Sequence, residues 1–252
     1  MRSEISPTPR SKGTLSVLEA CLAEPSVKRV VITSSVAAMT DLYGEGVINE
    51  DTWNTRSSVD RNPYAFSKAE AERAAWTFMK ERNPHFDLVV INPFGILGPE
   101  HSDLINTTDS LVADMTTAKS PFVIDLPIGL VDVQDVAGSH MAAMEKPGAA
   151  GRYLCCAEAS NSRDVAAFME REFPDVKRPR IRLDGPIGTK IMKVMALTQP
   201  AGVRSLVRDN LGGDVNFDNS KITSELGIEF RPLAETLRDT FNDLIASGKI
   251  KT

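Results

Sequence analysis

The 252-residue chain is poor in the residues that mark several large classes of protein. It has three cysteines, Cys21, Cys155 and Cys156, none at a metal-ligand spacing. A disulfide framework and a zinc site are therefore not indicated, and a reducing cytosol is the default expectation. The adjacent Cys155 and Cys156 read as buried strand residues rather than a redox pair. Histidine is equally scarce: His85, His101 and His140 form no His-x-x-x-His pair, and no carboxylate cluster proposes a metal. No apolar run approaches the ~20 residues needed to span a bilayer, and the opening MRSEISPTPRSKGT has no apolar core of a secretory signal. The net charge of −5 is spread without a long basic run, which leaves nucleic-acid binding without electrostatic support. No internal repeat or low-complexity tract is present. These absences predict a cytoplasmic protein with neither a membrane nor a nucleic-acid partner.

What is present is ordinary for a globular protein, with 42% hydrophobic and 25% charged residues, and the length suits one large domain or one with a smaller appendage. A helical stripe over Gly13–Ala23 (Leu15, Val17, Leu18, Cys21) stops before Pro25. The β-branched run Arg29–Thr33 predicts a strand buried on both faces. After a polar excursion from Asp41 to Asn62, Pro63 suits a helix start, and the Ala-, Glu- and Lys-rich Tyr64–Glu81 predicts a long helix. Phe86–Asn92 repeats the strand pattern, so strand, helix and strand form a βαβ unit with parallel strands. Helices are predicted around Ser110–Thr117, over Gln134–Glu145, Arg163–Glu172, near 187–208 and over Leu233–Ala246. Further strands are predicted near Pro121–Asp125, at Arg152–Cys156 and near 180–183, with the segment Gly129–Val133 between the first two given no type. The alternation predicts an α/β fold, a partial doubly wound parallel sheet with a smaller C-terminal α+β region.

Tyr64 and Lys68 share one face of the long helix, about one turn apart. A phenol, with a pKa of about 10, is a poor acid at neutral pH, and a neighbouring ammonium favours the phenolate and makes it a usable proton donor. By itself the pair is equally a chance meeting on a wet helix. Its context changes that: Ser34 and Ser35 end the preceding strand, at the carboxyl edge where doubly wound folds bind their ligands. Asn92-Pro93-Phe94-Gly95 ends the next strand at the same edge.

On these residues, with KGTLSVLEAC (12–21), VKRVVITSS (27–35), PYAFSKAEAERAAW (63–76), INPFGILGP (91–99), VDVQDVAGSHMAAME (131–145), GRYLCC (151–156) and FDNSKITSELGIEFRPLAETLRDT (217–240), the sequence resembles the extended short-chain dehydrogenase/reductases. Within them it is similar to the dihydroflavonol reductase and cinnamoyl-CoA reductase branch, over nearly the whole chain. The resemblance implies an oxidoreductase in which Ser35 orients a small-molecule carbonyl substrate, with Ser34 the competing choice. Tyr64 is the implied acid/base, and Lys68 binds the nicotinamide ribose and acidifies the tyrosine. Pro93, Phe94, Gly95 and Ile96 form the loop against the nicotinamide carboxamide. The branch implies NADP, with NAD not excluded. It further implies a Rossmann-like part over 1–156, with 100–130 contributing to the substrate region, and a mainly substrate-binding part over 157–252. Asp132 and Asp135 match a family signature and read as a turn and helix cap. His140 is expected on an apolar helix side beside Met141 and Met144, while His85 and His101 are expected toward solvent. The Met-rich Ile191–Leu197 is a candidate pocket lining or core segment.

The sequence departs from the family in one respect: no Gly-x-x-Gly-x-x-Gly turn lies between a strand and a helix. A truncated gene model is the simplest expectation, with weak or no activity of this shortened form. Strand 28–34 is then expected to have an uncovered edge, open to self-association. Two other readings stand beside a carbonyl reductase: a sugar-nucleotide epimerase or dehydratase, and a non-catalytic binding module derived from a reductase.

Overall fold

The structure is a computed structural model that describes residues 8–99, 107–117 and 119–251. In chain order the elements are α1 (Pro9–Ala23), β1 (Arg29–Thr33), α2 (Pro63–Arg82), β2 (Asp87–Pro93), β3 (Gly95–Leu97), α3 (Thr107–Thr116), β4 (Phe122–Val123), β5 (Pro127–Asp132), α4 (Val133–Glu145) and β6 (Gly151–Cys155). There follow β7 (Glu158–Asn161), α5 (Ser162–Glu172), β8 (Ile181–Arg182), α6 (Pro186–Met195), α7 (Ala201–Asn210), α8 (Ser220–Leu226) and α9 (Leu233–Ala246), with short 3-10 turns at Val36–Ala38 and Ala196–Thr198.

The central sheet is parallel, in the order β1-β2-β6, with Val31 opposite Val89 and Ile91 opposite Tyr153. The two-residue period of a strand divides its side chains between two helical layers. Val30, Ile32, Leu88 and Val90 pack with Leu18, Ala75 and Phe78 of α1 and α2. Val31, Val89, Ile91, Tyr153 and Cys155 pack with Val136 and Ala143 of α4 and with Ile222 and Leu226 of α8. β2 is buried from Leu88 to Pro93, whereas β1, expected to be buried on both faces, is only half-buried and ends on an exposed Thr33. Among the described residues β1 pairs only with β2. The α/β Rossmann-like architecture is therefore present, with helices on both faces of a parallel sheet.

A second sheet, β3-β5-β7, pairs β3 with β5 in parallel and β5 with β7 antiparallel. Beneath it Leu97, Leu130, Phe168, Met169, Leu237, Phe241 and Leu244 form one core that joins β3 and β5 to α5 and α9. Asp132 caps α4 by accepting from the Gln134 N–H, and its other oxygen accepts from Arg231 and Thr236. It therefore holds the sheet to α9 as well as acting as a helix cap.

Several expectations need correction. The strand at 121–125 shrinks to Phe122–Val123, paired in parallel with β8. The helices expected near 187–208 are present as α6 and α7, joined by the 3-10 turn Ala196–Thr198, with Pro200 just before α7. β3, β7 and the seven-residue α8 carry too few residues to show a period and were not anticipated. Met141 and Met144 are exposed, so His140 does not sit on an apolar side: its ring spans the Thr33 hydroxyl (2.7 Å) and the Val136 carbonyl (2.8 Å). His85 is exposed as expected, and His101 lies outside the described residues. Cys155 and Cys156 are buried free thiols, both pushed up by burial, Cys155 to about 12.

Candidate active site

β1 ends at Thr33, and the chain carries Ser34 and Ser35 past the carboxyl edge of the sheet. The Ser34 N–H still donates to the Ile91 carbonyl at 2.8 Å, so the strand tip is held in register with β2. Ser35 is the N-cap of the 3-10 turn: its Oγ accepts from the Ala37 N–H at 3.2 Å, which leaves its own O–H to donate elsewhere. The helix α2 starts beside this tip because Asn62 caps it, with Oδ1 accepting from the Ala65 N–H at 3.1 Å, and Pro63 takes the first turn. Tyr64 is consequently in the first turn of a 20-residue helix, where the aligned peptide dipoles favour negative charge developing on a nearby oxygen.

Ser35 and Tyr64 line one cavity of about 420 Å³. Phe94 and Gly95 reach it from the tip of β2, and Ile128, Val203 and Leu206 form much of its apolar wall. Tyr43 packs on Phe94 with ring centroids 5.1 Å apart, and its phenol is pushed up to about 12 by burial, with Asp41 and Tyr64 adding to the effect. Asp41, also in the wall, accepts from Ser57 (2.7 Å) and pairs with Arg61, which in turn holds Asp209.

Lys68 lies one turn further along α2 and donates to the Ser34 carbonyl at 3.2 Å. It opens on an adjoining cavity of about 380 Å³ that also includes Arg10, Thr14, Thr33 and Ser34. Burial pulls the Lys68 ammonium below the ordinary lysine range, the Arg10 charge pulls it further, and Glu72 opposes both. The Arg10 guanidinium stands over the Tyr64 ring, 5.1 Å from its centroid. Ser34 differs from its neighbour: its hydroxyl donates to Glu72 Oε2 at 2.5 Å and is not among the groups of the Ser35–Tyr64 cavity.

Of the loop proposed for the nicotinamide, Phe94 and Gly95 face the cavity, while Pro93 is buried at the end of β2 and Ile96 packs toward the α4 layer. The Met-rich stretch does not line the cavity. Ile191, Val194, Met195 and Leu197 are exposed, and the neighbouring helix α7 supplies Gly202, Val203 and Leu206 instead. Tyr43, Asp41 and Glu72 were missed, because a lone tyrosine, aspartate or glutamate in a polar stretch has no local pattern to distinguish it. A larger cleft of about 860 Å³, lined by Glu170 and by residues 174–181 among others, shares no residue with either cavity. Among the described residues no group of His, Cys, Asp and Glu could hold a metal ion, and no helix is long and apolar enough to cross a membrane.

Ser35 at the tip of β1 and Tyr64 in the first turn of α2 share a cavity at the carboxyl edge of a parallel sheet, the edge at which doubly wound folds bind their ligands. Residues 9–156 match the model of the NAD dependent epimerase/dehydratase family, and the chain belongs to that family. It is 32% identical over 247 residues to cinnamoyl-CoA reductase 1 of Arabidopsis thaliana, covering 96% of this chain and 64% of the relative. It is likewise 32% identical over 252 residues to the NADPH-dependent methylglyoxal reductase of Saccharomyces cerevisiae, covering 93% and 68%. The crystal structure of the yeast methylglyoxal/isovaleraldehyde reductase complexed with NADPH superposes with a TM-score of 0.74 at 29% identity, covering 96% of this chain and 71% of that one. The chain spans about two thirds of the length of the curated relatives it matches.

Proposed function

We propose that this chain carries the carbonyl-binding and proton-donating end of an NADPH-dependent reductase acting on an aldehyde or ketone, aryl or aliphatic. The observation that carries this reading is the shared cavity of Ser35 and Tyr64, with apolar walls and with Lys68 one helical turn behind. Ser35 donates its free O–H to the carbonyl oxygen and holds it toward Tyr64. Tyr64 gives that oxygen a proton as it gains negative charge, and the Lys68 ammonium favours the phenolate left behind. NADPH, when bound, supplies the hydride. The Lys68 amine, the Arg10 guanidinium and the Thr14 side chain around the second cavity suit a ribose and its neighbouring anionic groups. Tyr64, Lys68 and the segment Pro93–Ile96 would hold the nicotinamide end. The preference for NADP rests on the relatives named as NADPH-dependent. In this reading residues 1–156 serve the cofactor side, with 100–130 lending walls to the substrate, and 157–252 mainly shape the substrate pocket.

A nucleotide sugar is the less favoured substrate, because GRYLCC (151–156) and the C-terminal stretch 217–240 follow the reductase branch. The test is NADPH consumption with a panel of aldehydes and ketones. Tyr64→Phe should lose most of the ~10²–10⁴-fold that a positioned acid contributes, and turnover unchanged by that substitution refutes the assignment. NADPH fluorescence on titration with the chain bears on the alternative of a non-catalytic module: weak or no binding is expected of the chain as given, and tight binding would argue against that module.

A further inference from the structure

Glu72 is a carboxylate in the middle of α2, 2% exposed, and the proposed reaction gives it no role. Burying such a group is costly unless every lone pair finds a donor. Here Oε2 accepts from the Ser34 hydroxyl (2.5 Å) and the Asn92 amide (2.7 Å). Oε1 accepts from Arg152 Nε (2.5 Å) and, at 3.4 Å, from the Trp76 indole. The same Asn92 amide donates to the Ser35 carbonyl at 3.1 Å. Arg152 is itself buried, gives its other hydrogen bonds to the Glu50 and Thr52 carbonyls, and stacks 4.0 Å from the Trp53 ring centroid. One carboxylate therefore ties the tips of β1 and β2, and β6 as well, to the helix that carries Tyr64 and Lys68. It also stands one helical turn from Lys68 and borders the cavity onto which Lys68 opens.

We propose that Glu72 is the positioning residue of this site: it clamps the Ser34–Ser35 tip and Asn92 onto α2 and sets the negative charge that faces the Lys68 ammonium. This rests on the proposed reaction for its purpose but not for its geometry. Among the described residues, the groups facing Lys68 are Arg10 from α1, Glu72 from its own helix and the Ser34 carbonyl from the β1 tip. Of these only Glu72 is anionic, so it alone offsets Arg10 and burial.

Glu72→Gln separates the two parts of the role, since the amide keeps an acceptor for Ser34 and Asn92 but loses the charge. The measurement is the titration of the Lys68 side chain by NMR of the lysine-labelled 252-residue chain, its signal assigned with Lys68→Arg. The expected result is a folded variant in which the Lys68 midpoint moves to lower pH. Where turnover is measured, kcat should fall about 10-fold or more with KM little changed, the mark of a group that acts on the transition state. If the single variant does not fold, Glu72→Gln with Arg152→Gln leaves no lone buried charge and is titrated in its place. A folded variant with an unchanged Lys68 midpoint overturns the proposal. The titration needs no catalysis, so a reductase reading that fails at Tyr64→Phe leaves this result to be judged separately.

Discussion

Gly129→Ala adds one methyl group to β5, and the structure fixes where it would go. A Cβ at 129 lies 2.5 Å from Phe94 Cδ2, 2.6 Å from Phe94 Cγ and 2.8 Å from Cys156 Sγ, whereas carbon atoms in favourable contact stand about 3.5–4.0 Å apart. Cys156 has no room, being fully buried with its thiol on the Leu130 and Glu158 carbonyls, and Phe94, packed against Tyr43, can yield only toward the cavity it lines. The backbone at 129 is not in the left-handed region, so alanine also gains about 0.4–1 kcal/mol by restricting the unfolded chain. Overpacking a filled core costs about 1–3 kcal/mol, and the difference leaves a net loss between about 0 and 2.6 kcal/mol, centred on ~1.3 kcal/mol. Urea unfolding should show a lower midpoint at unchanged m. Because the ring that must yield borders the Ser35–Tyr64 cavity, the same variant should alter KM for a bulky carbonyl compound more than for a small one. Adding Phe94→Leu should recover part of the stability, as expected for residues in contact. A midpoint equal to or above that of the parent would refute the packing argument.

Phe241→Ala empties the fully buried centre of the α5–α9 core and removes the edge contact with Phe173; a loss of about 3–5 kcal/mol in urea unfolding is expected, and a loss under 1 kcal/mol would mean the core collapses around the gap. Alkylation of the native chain should spare Cys155 and Cys156, held as thiols by burial, and label Cys21 alone, with all three labelled once urea unfolds the chain. Burial pushes Asp135 above the ordinary carboxylate range; Asp132 adds to this and the Arg231 N–H opposes it. Its folded form thus favours the proton, and that contribution is full below about pH 4 and lost as pH rises through the raised value. Asp135→Asn keeps an acceptor for the Arg231 N–H but has no charge to bury, so its Tm relative to the parent should rise from acid to neutral pH. A difference that stays constant with pH would refute this.

The parts of the fold legible in the sequence are those whose information is local. Arg29–Thr33 and Leu233–Ala246 were read with the bounds they have, and α2 to within two residues, because a β-branched run and a helical stripe each need only near neighbours. β3 and β7 are three and four residues long and owe their pairing to distant strands, so nothing near them announces it. Glu72 shows the same limit at the site. Its partners Asn92, Ser34 and Arg152 lie 20, 38 and 80 residues away, and only the closed sheet brings them to one point. The exposed face of α6 shows the opposite error: Ile191, Val194 and Met195 have the period of a buried stripe, yet the helix turns that stripe outward. Periodicity fixes which residues share a face and leaves open what the face meets.

The two adjacent serines show how much a strand's alternation decides. Ser34 and Ser35 are chemically identical, and the sequence offers only their order. At the end of β1 the backbone turns successive side chains to opposite sides. Ser34 falls on the side of α2, where a buried carboxylate needs a donor, and its proton is committed to Glu72. Ser35 falls on the other side, where the chain turns into the 3-10 segment, and its oxygen takes the Ala37 N–H while its proton stays uncommitted beside Tyr64. Exchange of roles therefore requires a one-residue slip of β1 against β2, which would also move Val30 and Ile32 out of the α1–α2 layer and Val31 out of the α4 layer. The apolar core that sets the strand register is in this way what selects which of the two serines lines the cavity with its hydroxyl proton uncommitted.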